Sequence, residues 1–227
     1  TYTPPAGYEG GDVFSYTVFD NGTPAKSATS TVAVTVSAIN DAPVAVDGTL
    51  NVTEDTAASG TLSASDPEDD ALTFSIVMNG NKGTVVITNT ASGAFIYTPN
   101  ANATGSDTFT FLASDGILNS NAATISVTIS SLNDAPVAVD NLLTTDEDTP
   151  LTGTLSASDA ESDPRTYSLL QNGVKGSAVI TDAATGAFTY TANLNTNGTD
   201  IFTFKANDGA SDSNTATITV VILPVND

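Results

Sequence analysis

The sequence predicts an all-β protein in which two-layer β-sandwiches follow one another end to end. Residues 40–47 (Asn-Asp-Ala-Pro-Val-Ala-Val-Asp) recur unchanged as residues 133–140, which sets a repeat of 133 − 40 = 93 residues. Polar and apolar residues alternate within each repeat, as they do in strands that are buried on one face. No stretch keeps the roughly 3.6-residue spacing of an amphipathic helix, so we expect almost no helix.

The strands of one repeat can be read from its alternating segments. Residues 124–129 (Thr-Ile-Ser-Val-Thr-Ile) alternate strictly between polar and apolar, and residues 108–111 (Thr-Phe-Thr-Phe) do the same. Turn-forming pairs such as Asn79-Gly80 separate these segments. Seven or so short strands in a repeat of this length predict a Greek-key β-sandwich of the immunoglobulin type.

The repeat divides the chain into three segments. Residues 40–132 and 133–227 are complete repeats, and 53 of their 93 aligned pairs are identical. Residues 1–39 repeat only the second half of the unit, so either the chain is an excised piece of a longer protein or the missing strands come from elsewhere. The connection between repeats is short and contains a Pro, which favours tightly joined sandwiches over a free linker.

The amino-acid composition excludes several classes of function. Acidic residues number 26 against 5 basic ones, and the resulting formal charge of −21 argues against binding to nucleic acid phosphates. The chain has no Cys and no His, which excludes disulfides, cysteine nucleophiles, Ser-His-Asp catalysis and most zinc or iron sites. No run of about 18 apolar residues indicates a membrane span. Cations are the partners expected for so negative a chain.

The acidic residues recur in groups that strand direction brings to the ends of the sandwiches. The linker Asp lies at the N-terminal end of each repeat. Two later strands run back to that end, and one of them is followed by an acidic loop and the other by a lone Asp. An early Glu follows the first strand and lies at the far end, next to the following linker. We therefore expect acidic clusters at two junctions. The first gathers Asn40, Asp41, Asp66, Glu68, Asp70 and Asp115; the second gathers Glu54, Asn133, Asp134, Asp159, Glu161, Asp163 and Asp208; and Glu147 repeats Glu54 at the far end of the last repeat.

Carboxylates gathered in this way favour a hard dication. Two carboxylates about 6 Å apart repel by about 0.7 kcal/mol in water and by about 3 kcal/mol at an effective dielectric constant near 20. Calcium takes about 6–8 oxygen ligands, and the spacing Asp66-x-Glu68-x-Asp70 suits it because every second side chain of a turning loop lies on one side. Magnesium demands tighter geometry, and softer metals lack His or Cys ligands in this chain. The sequence therefore predicts Ca²⁺ as the bound cofactor.

Other interpretations of the same acidic residues remain open. Acidic residues in loops are most often solvated, and residues 54–56 (Glu-Asp-Thr) could simply form a turn. Asp12, Asp107 and Asp200 each stand just before a strand in Gly-x-Asp-x-Phe. We expect these three residues to cap turns rather than to reach a junction.

The end of each repeat and the beginning of the next resemble a cadherin repeat. The resemblance rests on residues 18–24 (Val-Phe-Asp-Asn-Gly-Thr-Pro), residues 40–43 (Asn-Asp-Ala-Pro) and residues 64–68 (Ala-Ser-Asp-Pro-Glu). The whole chain is similar to the bacterial cadherin-like tandem repeat, which is found in large surface adhesins and biofilm proteins. The resemblance implies calcium between successive modules, an extracellular location and a role in a stalk or in adhesion.

The resemblance also implies roles for single residues. Animal cadherin linkers carry an additional Asp where this chain has Ser131, and their Asp-Arg-Glu motif is absent near residues 100–106. Fewer ligands imply fewer ions, one or two at each junction. The family's Asp-x-Asp motif falls on Asp66 and Glu68 and on Asp159 and Glu161, its Ala-x-Asp ligand on Asp20, Asp115 and Asp208, and its early Glu on Glu54 and Glu147.

Three functions are compatible with this sequence. The leading hypothesis is a mechanical spacer in a secreted or cell-surface adhesin, stiffened by calcium, with adjacent repeats of the same protein as its partners. A second is a self-associating filament subunit in which one chain completes the sandwich of its neighbour. A third is a carbohydrate-binding module, although the chain has no Trp and most of its aromatic residues stand at alternating core positions. An enzyme is not expected, because the paired carboxylates recur at each junction, which suits ligation better than glycoside hydrolysis.

Overall fold

The structure, a computed structural model, describes residues 1–5 and 8–226. These residues form twenty β-strands and no helix, which confirms the predicted all-β fold. Consequently, none of the described residues belongs to a helix able to cross a membrane.

The first segment contributes a single antiparallel hairpin of β1 (Gly10–Phe19) and β2 (Ser27–Val36). Most of its apolar side chains are solvent-exposed. Phe14 is 45% exposed, whereas the equivalent residue of the next repeat, Phe109, is fully buried. The hairpin therefore presents to solvent a face that forms the core of a complete sandwich.

Residues 40–132 form a sandwich of two main sheets and one short strand pair. Its strands are β3 (Val44–Val46), β4 (Gly48–Thr53), β5 (Ala58–Thr61), β6 (Ser63–Ser65), β7 (Thr73–Met78), β8 (Gly83–Asn89), β9 (Ala94–Pro99), β10 (Gly105–Ser114) and β11 (Ala123–Ser130). One sheet has the order β4-β11-β10-β7, the other has the order β5-β9-β8, and β3 pairs with β6. All of these pairs are antiparallel except β4 with β11, which is parallel.

Residues 133–226 repeat this arrangement strand for strand. The strands are β12 (Val137–Ala138), β13 (Asn141–Asp146), β14 (Leu151–Thr154), β15 (Ala157–Ser158), β16 (Thr166–Gln171), β17 (Gly176–Asp182), β18 (Ala187–Ala192), β19 (Gly198–Asn207) and β20 (Ala216–Leu223). The sheet orders are β13-β20-β19-β16 and β14-β18-β17, with β12 paired to β15.

Each sandwich has its own apolar core, formed by alternate residues of its strands. In β10, the side chains of Phe109, Phe111 and Ala113 are fully buried, and the residues between them are more exposed. Phe95 packs edge-on against Phe109, with ring centroids 5.3 Å apart. The alternation seen in the sequence therefore corresponds to the inner and outer faces of the sheets.

Each core also encloses one carboxylate beneath a turn. Asp107 is 6% exposed, and it accepts hydrogen bonds from the Tyr97 hydroxyl (2.6 Å) and from the N–H groups of Asn81 (2.9 Å) and Lys82 (3.0 Å). The turn needs Gly80, because a Cβ at that position would overlap the Asp107 carboxylate. Asp107 thus caps a turn, as predicted, but it lies within β10 rather than before the strand, and the turn that it caps joins β7 to β8.

The parallel pairing of β4 with β11 positions the early Glu of the repeat. Thr53 lies opposite Ser130 in this pair, so both strands end at the same end of the sandwich. Glu54 therefore emerges beside the connection to the next repeat. At the opposite end, β6 leads into Asp66 and β10 leads into Asp115.

Candidate metal centre at the module junctions

The acidic loop that follows β6 is organised around Asp66. Its Oδ1 accepts hydrogen bonds from the N–H groups of Glu68 (3.0 Å) and Asp70 (3.1 Å). Asp69 has a left-handed φ of 61°, a conformation that Asp tolerates better than most residues. Asp66 is 9% exposed, and its Oδ2 is buried without a hydrogen-bond partner. One oxygen of this carboxylate holds the loop, and the other is unsatisfied.

The linker ties this loop to the end of β10. The Asp41 N–H donates to Glu68 Oε2 (3.0 Å), and the Asn40 amide donates to Asp115 Oδ2 (2.8 Å). The Asn40 amide, assisted by two backbone N–H groups of the following turn, lowers the pKa of Asp115 and so favours its charged form. Three acidic groups that are distant in sequence are thus connected at the first junction.

The second junction repeats these contacts. The Asp134 N–H donates to Glu161 Oε2 (3.0 Å), and the Asn133 amide donates to Asp208 Oδ2 (3.0 Å). Backbone N–H groups that follow Asp208 lower its pKa. Asp159, like Asp66, has a buried Oδ2 without a hydrogen-bond partner.

Glu54 contributes to the second junction from the preceding module. It is fully buried, and its Oε1 accepts a hydrogen bond from the N–H of Leu132 (2.8 Å). Its Oε2 is buried without a partner. Glu147 has the same local contact at the end of the next module, where its Oε1 accepts a hydrogen bond from the N–H of Val225 (2.8 Å).

A residue that sequence reasoning missed, Asn102, also lies at the second junction. Its side-chain amide donates to Asp134 Oδ2 (3.1 Å), and its backbone N–H donates to Asp55 Oδ1 (3.3 Å). A sequence signal was available, since Asn-x-Asn at residues 100–102 recurs at residues 193–195.

Two further candidate ligands, Asp70 and Asp163, are positioned by hydrogen bonds of their backbone. Asp70 and Asp163 donate their backbone N–H groups to the first Asp of their loops, and Asp70 is exposed. Across residues 1–5 and 8–226, no three acidic side chains are arranged so that they could hold a metal ion as they stand. The carboxylates instead accept hydrogen bonds from N–H groups. Cation binding at a junction would therefore require some of them to turn toward the ion.

The chemistry of the junctions fits a hard dication. The candidate ligands are carboxylates and amides, which offer oxygen atoms, and the chain has no His or Cys for softer metals. An unsatisfied buried polar atom costs about 1–3 kcal/mol, and more when it is charged. A cation would satisfy the unpartnered oxygens Glu54 Oε2, Asp66 Oδ2 and Asp159 Oδ2.

Similar proteins support the fold. Mouse cadherin-23 (EC22-24) is 21% identical, with 94% of this chain and 74% of that chain covered and a TM-score of 0.63. Human protocadherin-24 (EC1-2) is 17% identical, with 81% of this chain and 100% of that chain covered and a TM-score of 0.54. At these identities the likeness shows the fold alone. Integrin beta-like protein C of Dictyostelium discoideum is 32% identical over 139 residues, a match that spans 54% of this chain and 7% of that protein.

Family comparisons match both complete modules. Residues 40–131 match the family described as a bacterial cadherin-like domain, and residues 133–221 match the bacterial Ig domain. Such domains are typically structural modules of the adhesion type, they suggest an extracellular or surface location, and cadherin-like domains generally bind calcium. The predicted family resemblance is thereby confirmed. The chain is therefore similar to bacterial cadherin-like domains over residues 40–131 and to bacterial Ig domains over residues 133–221.

Proposed function

We propose that this chain is part of a calcium-stabilised spacer in a large extracellular adhesin or surface fibre, with one or two Ca²⁺ ions held where modules join. The proposal is carried by two buried, unpartnered carboxylate oxygens, Glu54 Oε2 from one module and Asp159 Oδ2 from the next. Glu54 is bonded to the N–H of Leu132, and the loop of Asp159 is bonded to the linker through Glu161 and Asp134. Acidic groups of both modules are therefore tied to the same short linker.

In this proposal, the ion would act by neutralising charge between the modules. Glu54 would supply a ligand from the first module, Asp134 from the linker, and Asp159, Glu161 and Asp208 from the second module. Ca²⁺ is a compact ion with a double positive charge, and it binds several oxygen ligands in flexible geometry. Ligands of both modules would share the ion, so bending the junction would pull some of them away from it. The bound ion would therefore oppose bending and stiffen the junction.

Magnesium is a weaker candidate for the same position. Mg²⁺ requires near-octahedral geometry and dehydrates reluctantly. The junction offers ligands on several separate loops, which must adjust to the ion. That adjustment suits the more variable coordination of Ca²⁺.

Calcium should raise the melting temperature of the chain. A ligand present at 100 times its dissociation constant stabilises the folded state by about 2.7 kcal/mol, and each 1 kcal/mol shifts the melting temperature of a domain of about 100 residues by about 4–8 °C. We therefore expect a rise on the order of 10 °C between excess EGTA and millimolar CaCl₂, measured by differential scanning calorimetry. MgCl₂ at equal concentration and NaCl at equal ionic strength are the controls, because screening alone also weakens carboxylate repulsion. Identical melting in EGTA and CaCl₂ would contradict the proposed function.

Exposed apolar residues on the β1–β2 hairpin favour a second function, association with strands of another copy. Phe14, Tyr16 and Val18 are 45%, 48% and 58% exposed, although their equivalents in the next module are core residues. Multi-angle light scattering between about 1 and 100 μM should then show a concentration-dependent dimer or filament. Phe14→Ser should abolish it, whereas Val13→Thr, on the opposite face of the same strand, should not. A monomer at every concentration would exclude association through this face.

A further inference from the structure

The junction between the two complete modules contains a contact made by a neutral side chain. Asn102 lies in the turn between β9 and β10, at the C-terminal end of the first of these modules. Its amide donates to Asp134 Oδ2 at 3.1 Å. Within the described part of the chain, this is the only hydrogen bond that crosses from residues 40–132 to residues 133–226.

Asp134 is bonded on both sides of the junction. Its carboxylate accepts from Asn102 of the preceding module, and its N–H donates to Glu161 of its own module. The two bonds use different atoms of one residue. Asp134 therefore connects a turn of one sandwich to the acidic loop of the next.

The backbone of Asn102 is fixed independently of its side chain. The residue has a left-handed φ of 54°, and its N–H donates to Asp55 Oδ1 (3.3 Å). Asn195, one module later, has a φ of 52° and donates its N–H to Asp148 Oδ1 at the same distance of 3.3 Å. Asn is among the few residues that adopt this conformation readily, and its side chain can donate a hydrogen bond from it, which Gly cannot.

We infer that Asn102 is a calcium-independent latch, a positioning residue that orients Asp134 and limits bending of the junction before any ion binds. An amide is suited to this role because it donates to a carboxylate without adding negative charge to an acidic junction. The latch does not depend on the proposed calcium function, because both partners are protein groups.

The latch can be tested by the distance between two spin labels in excess EGTA. The chain contains no cysteine, so Thr84→Cys and Ser177→Cys, exposed and equivalent positions of the two modules, give one label each. Electron–electron double resonance then gives the distribution of distances across the junction. Asn102→Gly keeps the left-handed turn and removes only the side-chain amide, and Asn195→Gly makes the same change one module away from this junction.

Asn102→Gly should lower the ratio of molecules in the main distance peak to those outside it by about two- to fivefold, as expected for the loss of an exposed hydrogen bond to a charged group. Asn102→Asp should lower it further, because a second carboxylate would face Asp134. Asn195→Gly should leave the distribution unchanged. The latch is overturned if Asn102→Gly matches the parent, or if Asn195→Gly broadens the distribution equally. All measurements are made in EGTA, so absence of calcium binding would not affect this result.

Discussion

Replacing Glu54 with Gln should weaken calcium binding at the junction by about 10- to 100-fold, because affinity at oxygen-ligand sites follows the number of charged ligands. Gln has the same shape and can still accept the hydrogen bond from Leu132, so the local fold should survive. The sign of the stability change should depend on calcium. In EGTA the variant should melt at the same temperature as the parent or at a higher one. The parent buries a charged oxygen of Glu54 that has no hydrogen-bond donor, and Gln removes that charge. In CaCl₂ it should melt at a lower temperature than the parent.

Glu147→Gln provides the matched control for this experiment. Glu147 is 6% exposed and accepts the equivalent hydrogen bond from Val225, but it lies one module away from the junction in question. Isothermal titration with calcium should therefore give the parent affinity for Glu147→Gln at the junction around Asp134. Equal affinity for the parent and Glu54→Gln would remove Glu54 from the set of ligands.

Replacing Asp107 with Asn should destabilise its module by about 2–4 kcal/mol, independently of calcium. The substitution removes the charge from a buried acceptor and turns an N–H₂ group toward donors. Because a domain is stabilised by only about 5–15 kcal/mol, this is a large loss. Urea unfolding in EGTA gives the free energy of unfolding directly. The control is Asp12→Asn, which alters the same kind of pair, Tyr2 with Asp12 of the exposed hairpin, and we expect it to cost much less than Asp107→Asn.

The same residue should make stability depend on pH. Burial raises the pKa of Asp107, but hydrogen bonds from Tyr97 and from backbone N–H groups outweigh it, so the pKa lies below its ordinary value. A lowered pKa in the folded state gives stability that is present above the unfolded-state pKa, near 3.9, and is lost as the pH falls through the folded-state pKa. The difference in unfolding free energy between parent and Asp107→Asn should therefore shrink from pH 7 to about pH 2.5. A difference that stays constant over this range would show that the charge of Asp107 contributes nothing to stability.

The strands and cores could be predicted from the sequence because they depend on local alternation. Phe109, Phe111 and Ala113 stand two residues apart, and a strand with one buried face must place them together. The direction of each strand also placed Asp66 and Asp115 at one end of the sandwich and Glu54 at the other. These inferences need only the order of the strands.

The contacts of individual site residues could not be predicted, because they depend on register between segments that are distant in sequence. Glu54 meets Leu132 because β4 and β11 pair in parallel with Thr53 opposite Ser130, and no local pattern specifies that register. Asn102 meets Asp134 for a similar reason. The sequence showed Asn102 only as a repeated residue in a turn.

The burial of Asp107 was missed for a different reason. Its predicted position just before a strand indicated a turn cap; the structure shows a cap, but Asp107 lies inside β10 and caps the turn between β7 and β8. The Tyr97 hydroxyl, which donates to Asp107 from inside the core, belongs to β9 in the other sheet of the sandwich. The alternating pattern marked Tyr97 as apolar core and gave no sign of its polar role.

The most direct test of a shared ion at the junctions is the anomalous scattering of calcium in crystals grown with CaCl₂. One or two difference peaks should lie within about 2.3–2.6 Å of carboxylate oxygens at the junction around residue 134, with Glu54 on one side and Asp159 on the other. Well-ordered crystals that contain ample calcium but show no such peak, with these oxygens directed into solvent, would contradict a bridging ion.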